Sequence, residues 1–169
     1  MEINRIHFRY KVRPSDVKEV QEIVTTTGFF HPEEIGIAVE LVEERLEKGE
    51  ASGYEFIFLE LDGQTVAYSC YGLIPLTKSS FDLYWIATHA GHRNKGLGKI
   101  LLRETEDDIR ARKGTAIYAE TSSRDLYIPT RKFYQRNGYL LKAQFEDYYA
   151  QGDDLLYFVK KLNQDKIRI

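Results

Sequence analysis

The hexapeptide Arg93-Asn94-Lys95-Gly96-Leu97-Gly98 carries the strongest chemical signal in the chain, because it stands directly before the apolar run Ile100-Leu101-Leu102. That run reads as the start of a helix. The first N–H groups of a helix lack intrahelical acceptors and sit at the positive end of its dipole, so an anion placed there gains several hydrogen bonds at once. Glycines at 96 and 98 let a pyrophosphate approach the backbone, and Arg93, Lys95 and Lys99 add charge. Spacing disfavours two commoner phosphate loops. A dinucleotide fingerprint needs a third glycine at position 101, which is Leu101, and a Walker loop needs Gly-Lys-Ser/Thr. By itself the hexapeptide also fits a glycine-containing turn before a surface helix, so its surroundings must decide.

Other candidate groups are fewer. Cys70 lies in an apolar strand, where a cysteine reads as core rather than nucleophile. His89 and His92 flank the glycine loop, which suggests a loop or anion-contact role, and no His, Cys, Asp and Glu group has metal-ligand spacing. No metal is expected.

The elements that must position these groups follow from hydrophobic period and turn residues. Ile3 to Val12 reads as a strand. Pro14-Ser15-Asp16 then offers a helix start before Val17, Val20, Ile23 and Val24, with Gly28 as its end. A second helix starts near His31-Pro32-Glu33-Glu34, places Ile35, Val39, Val42 and Leu46 on one face, and closes at Lys48-Gly49. Tyr54 to Leu61 and Gln64 to Ile74 are β-rich runs joined by Asp62-Gly63, a hairpin signal. Phe81 to Thr88 is the next strand, followed by a helix from about Gly96 to Arg112, a strand from Thr115 to Thr121 and a short helix near Pro129. Two last strands, about Gly138 to Phe145 and Asp154 to Leu162, flank a polar turn at Gln151-Gly152-Asp153. The order is β-α-α-β-β-β-α-β-α-β-β. With no linker or repeat in view, residues 1–169 read as a single α/β domain with a mixed sheet.

Composition narrows the partners. A net charge of -2 gives no general attraction to nucleic acid or an anionic membrane, so neither is expected as a partner. The lone cysteine, the lack of an apolar leader and the lack of a long apolar run point to the cytoplasm.

The loop and its setting resemble the GNAT superfamily of acyl-coenzyme-A-dependent N-acetyltransferases, whose diagnostic stretch is a strand, R/Q-x-x-G-x-G/A and a helix. Ile86-Ala87-Thr88-His89 resembles the strand-to-loop segment, and Phe133-Tyr134-Gln135-Arg136-Asn137-Gly138-Tyr139 is similar to the family's second feature, F/L-Y-x-x-x-G-F/Y on a short helix. The order of elements agrees to Leu162. Many members carry Asn seven residues before the helix tyrosine, where this chain has Tyr127.

The resemblance implies a GNAT-like, mostly antiparallel sheet flanked by helices, with a coenzyme cleft between the 81–88 and 115–121 strands. Acetyl-coenzyme A would be the co-substrate, contacted by Ile86, Ala87, Thr88, residues 93–99, Tyr127 and Arg131. A bulge in the 81–88 strand would present an N–H to the thioester oxygen. Tyr134 resembles the tyrosine at the coenzyme sulfur, a phenol able to give the departing thiolate a proton. For the base, Asp82 shares strand parity with Ile86 and Thr88 and resembles in position a glutamate base of some members. Glu120 competes with it, and a water relay is the third option. Asp82 could instead cap a turn after Ser79-Ser80, Glu120 could pair with an arginine, and Tyr134 could be a packed aromatic. The expected activity is direct acetyl transfer in a ternary complex to a primary amine of a small, amino-acid-like molecule, whose carboxylate Arg124 could hold. A non-catalytic acyl-coenzyme-A sensor and a protein lysine or N-terminal acetyltransferase are the alternatives, in a monomer or homodimer.

Overall fold

The structure, a computed structural model, describes residues 5–162. Ile3 and Asn4, the first positions of the expected N-terminal strand, lie outside the described residues. Among the described residues the elements are β1 (Ile6–Arg9), α1 (Asp16–Thr27), α2 (Pro32–Lys48), β2 (Glu55–Leu61), β3 (Gln64–Leu73), β4 (Ser80–Thr88), α3 (Leu97–Ala111), β5 (Ala116–Ser122), α4 (Ile128–Arg136), β6 (Leu140–Ala150) and β7 (Asp153–Lys161). Their order is the one the sequence predicts. The strands form a mixed sheet ordered β1-β2-β3-β4-β5-β7-β6. β4 and β5 are parallel, whereas β1–β2, β2–β3, β5–β7 and β6–β7 are antiparallel.

Contacts divide the chain into two units. The first holds the described parts of Met1–Gly72 with Trp85–Thr105, and the second Leu73–Tyr84 with the described part of Glu106–Ile169. β4 and α3 each contribute to both.

In the first unit, Asp62 and Gly63 both take positive φ, 50° and 82°, the backbone that a two-residue hairpin of matching twist requires. α1 and α2 cover one side of the strands. Val20, Ile23 and Val24 of α1 and Ala38 and Val42 of α2 meet Phe56, Phe58, Tyr68, Cys70 and Ala87 in one buried cluster, with Ile35 and Leu41 packed against it. Val39 and Leu46, expected on that stripe, stand outside the cluster, Val39 half-buried and Leu46 38% exposed; Ala38, one turn before Val42, is buried in it instead. The alternate residues of β3 are buried too, and Ser69 shares a 2.7 Å hydrogen bond with Thr105 of α3. Coverage on both sides explains why β2 and β3 read as near-continuous apolar runs rather than strict alternations.

α1 starts at Asp16, within the Pro14-Ser15-Asp16 segment that the sequence marks as a helix start. Ser15 makes no side-chain cap, and Asp16 accepts the Arg13 N–H at 2.6 Å, which ties the preceding turn to the helix. Asp16 is fully buried and receives Arg9 bidentately at 2.8 and 2.9 Å, while Arg9 Nε donates to Glu60 at 2.7 Å. An uncompensated charge in that position would be costly, and pairing with good geometry is what makes burial tolerable.

In the second unit, Gly114 closes α3 onto β5. A Cβ there would stand 2.3 Å from Ile109 Cγ2 and 2.9 Å from Phe81 Cδ2, so only glycine fits. Tyr134, Tyr139 and Phe158 stack into its core, with ring centroids 5.4 and 5.9 Å from Tyr134. Buried Glu106 accepts from Tyr139 Oη at 3.1 Å and from Lys160 Nζ at 2.9 and 3.0 Å. β6 extends past the expected end at Phe145 because side chains bridge its irregular part. Asp154 accepts the Asp147 N–H at 2.9 Å, and Asp147, at φ 53°, accepts that of Gly152 at 2.6 Å.

Candidate active site

The phosphate-loop candidate belongs to the first unit. β4 ends at Thr88, a short 3-10 turn covers Ala90–His92, and the chain then passes through Asn94 and Gly96 at φ 61° and 74° before α3 begins at Leu97. A Cβ on Gly96 would meet nothing, so its requirement is the left-handed backbone rather than space. The N–H of Ile100 bonds Gly96 O at 3.2 Å, which by helix geometry leaves the N–H groups of Leu97, Gly98 and Lys99 as the unpaired first donors of α3. The loop is braced from α1. Ala90 N–H donates to Thr26 Oγ1 at 3.1 Å, and Arg93 donates to Thr27 O at 2.7 Å with its guanidinium 5.2 Å from the Phe29 ring centroid. Arg93 therefore anchors the loop as well as adding charge. Lys95 and Lys99 are exposed.

Within β4, Ala87 is packed in the first unit's core, so what it can offer a ligand is its backbone. Ile86 and Thr88 are half-buried. His89 Nδ1 accepts the Gly91 N–H at 3.0 Å and its Nε2 lies 3.6 Å from Glu22. Burial, then the charges of Lys95 and His89, lower the His92 pKa. His89 thus braces the turn that leads into the loop.

The acid and phenol candidates belong to the second unit. The β4–β5 register is Ser80↔Ala116, Phe81↔Ile117 and Asp82↔Tyr118, and the β5–β7 register sets Glu120 opposite Tyr157. Period-two alternation puts Asp82, Tyr118, Glu120 and Tyr157 on one side of these strands, with Phe81, Ile117, Ala119 and Phe158 buried on the other. Burial, then the negative charge of Glu120, lifts the Asp82 carboxyl to about 6. Glu120 is exposed, and its Oε1 accepts the Tyr157 hydroxyl at 2.5 Å. Neither plainer use expected from the sequence applies: Glu120 pairs with a phenol, and Asp82 is a strand residue within β4. Tyr157 was not legible as a partner.

Tyr134 is buried, and burial alone pushes its phenol well up, so it stays protonated across the neutral range. It is a packed aromatic that keeps its phenolic proton. Arg131 Nη1 donates to the carbonyls of Ser122 and Arg124 at 2.9 and 2.8 Å, tying α4 to the end of β5; that role explains it without a ligand. Arg124 Nε lies 3.3 Å from Asp153, and its guanidinium sits 5.4 Å from the Tyr127 ring centroid. Its charge is thereby matched within the protein, which weakens the expected role as a carboxylate receptor. Among the described residues no three His, Cys, Asp or Glu side chains are grouped to hold a metal ion.

A strand, a left-handed glycine loop and a helix with free N-terminal donors are what the 93–98 motif requires, and the Acetyltransferase (GNAT) family profile matches residues 20–139. The chain belongs to the GNAT acetyltransferase family. As a GNAT protein it is an acyl-coenzyme-A-dependent N-acetyltransferase. A Desulfovibrio desulfuricans protein assigned to the GNAT acetyltransferases is 41% identical, with a TM-score of 0.91 over 93% of this chain and 99% of that one. Two more distant structures share the fold. An aminoglycoside 6'-N-acetyltransferase complexed with coenzyme A has 16% identity and a TM-score of 0.71 over 93% and 96%. The ribosomal-protein-S18-alanine N-acetyltransferase from Escherichia coli has 14% identity and a TM-score of 0.72 over 98% and 99%. No curated protein matches the sequence. No helix of the described residues is long and apolar enough to cross a membrane.

Proposed function

We propose that this GNAT protein moves an acetyl group from acetyl-coenzyme A to the primary amine of a small molecule, by direct attack in a ternary complex. The observation that carries the reading is the Asp82 carboxyl, raised to about 6 by burial and by Glu120. An ordinary aspartate is too weak a base to work well near neutrality, whereas one held at about 6 matches the task. The amine arrives as an ammonium ion. Asp82 takes its proton, directly or through water, and Glu120 attracts the cation.

The unpaired N–H groups of Leu97, Gly98 and Lys99 suit a pyrophosphate, and the left-handed turn at Asn94 and Gly96 sets their direction. Lys95 and Lys99 add long-range attraction. Acetyl-coenzyme A, when bound, would supply the acetyl group on a sulfur that leaves as the thiolate of coenzyme A. Tyr134 holds a proton for that sulfur.

The test is release of free thiol from acetyl-coenzyme A with purified protein and a panel of small amines. Amine-dependent release is expected. Coenzyme binding with no amine-dependent release would favour the sensor reading instead.

A further inference from the structure

We propose that Tyr157 is a positioning residue for the acceptor amine, acting through the carboxylate of Glu120. The inference rests on the acetyltransfer reading above and names a residue that reading does not use.

The geometry begins with register. β7 lies between β5 and β6, which makes Tyr157 the direct cross-strand partner of Glu120. Its hydroxyl donates to Glu120 Oε1 at 2.5 Å, short for an O–H to carboxylate bond and therefore a firm one. Among the described residues, Oε2 accepts from no donor and no cation lies within ion-pair distance of Glu120. That separates Glu120 from the protein's other well-held acids, since Asp16 and Glu60 are matched by Arg9 and Glu106 by Lys160.

A phenol does something those cations cannot. It fixes one carboxylate oxygen without cancelling the negative charge, so an incoming ammonium meets a full charge on an oxygen already aimed. An exposed glutamate otherwise surrenders rotamer freedom each time it binds, and holding it in advance lowers that cost. The charge held this way also reaches Asp82, the ammonium's proton acceptor.

Four proteins decide the matter: wild type, Tyr157→Phe, Glu120→Gln and the double variant, each assayed by thiol release with the best amine found. Tyr157→Phe deletes only the hydroxyl. It should raise the acceptor KM about tenfold, the lower end of what a hydrogen bond to a charged group is worth, with kcat within about threefold and the coenzyme KM unchanged. Glu120→Gln should raise acceptor KM at least as far, and the double variant should be no worse than Glu120→Gln. Glu120→Asp, which keeps the charge but withdraws it from the hydroxyl, should mimic Tyr157→Phe and serves if that variant folds poorly. An unchanged acceptor KM in Tyr157→Phe, effects that multiply in the double variant, or a loss confined to kcat would overturn the proposal. Wild-type protein that acetylates no amine would instead defeat the acetyltransfer reading, and this proposal with it.

Discussion

The charge of Glu120, on β5, adds to burial in holding the carboxyl of Asp82, on β4, at about 6 against its ordinary value of 3.8. That relationship has a cost in stability with a definite sign. A carboxyl whose pKa is higher folded than unfolded disfavours the fold once it ionises, so its penalty is absent below about 4, grows between about 4 and 6, and is complete above. Asp82→Asn should therefore raise Tm relative to wild type at pH 8 and give no gain at pH 4. Thermal melts at the two pH values check this, and equal shifts at both would remove the charge from the account. Half-exposure of Asp82 keeps the effect modest.

Gly98→Asp should abolish coenzyme binding and leave the fold intact. An acidic residue in the first turn of a helix complements the dipole, so α3 keeps its start. The same carboxylate covers the backbone donors and repels a pyrophosphate. Thermal stabilisation by coenzyme A should vanish in the folded variant, and its survival would take the anion away from this loop.

Tyr134→Phe keeps the ring that packs on Tyr139 and Phe158 and removes the hydroxyl. Coenzyme affinity should stay near normal while turnover falls roughly ten- to a thousand-fold, from weak to typical general-acid effects. Burial makes this phenol a weaker acid than an ordinary tyrosine, so on this account it gives up its proton only once negative charge has built on the departing sulfur. Unchanged turnover, with chemistry shown to limit the rate, would leave Tyr134 a packing residue.

Local signals were legible and long-range pairings were not. Asp62-Gly63 between two β-rich runs signalled a tight hairpin, and Gly28 marked the end of α1, because each reports a backbone conformation that few residues adopt. The glycine loop before α3 was readable for the same reason. The partnership of Glu120 with Tyr157 depends on β7 inserting between β5 and β6, a strand order that residue periodicity does not encode. Arg9 was equally hidden. An arginine in a strand suggests exposure, and its burial follows from Asp16 and Glu60, 7 and 51 residues away. Arg124 and Arg131 looked available to ligands because their acceptors, Asp153 and backbone carbonyls, come from folded geometry.

The dependence of kcat/KM on pH tests the division of labour between the two carboxylates most directly, using amines of different pKa to separate acceptor deprotonation. Wild type should rise with an apparent pKa near 6, the value that burial and Glu120 give Asp82. Asp82→Asn should lose that limb. Glu120→Gln should keep it, displaced to lower pH because one of the two influences raising Asp82 is gone. A limb that survives in Asp82→Asn and disappears in Glu120→Gln would make Glu120 the base, and one unchanged in both would contradict a carboxylate base altogether.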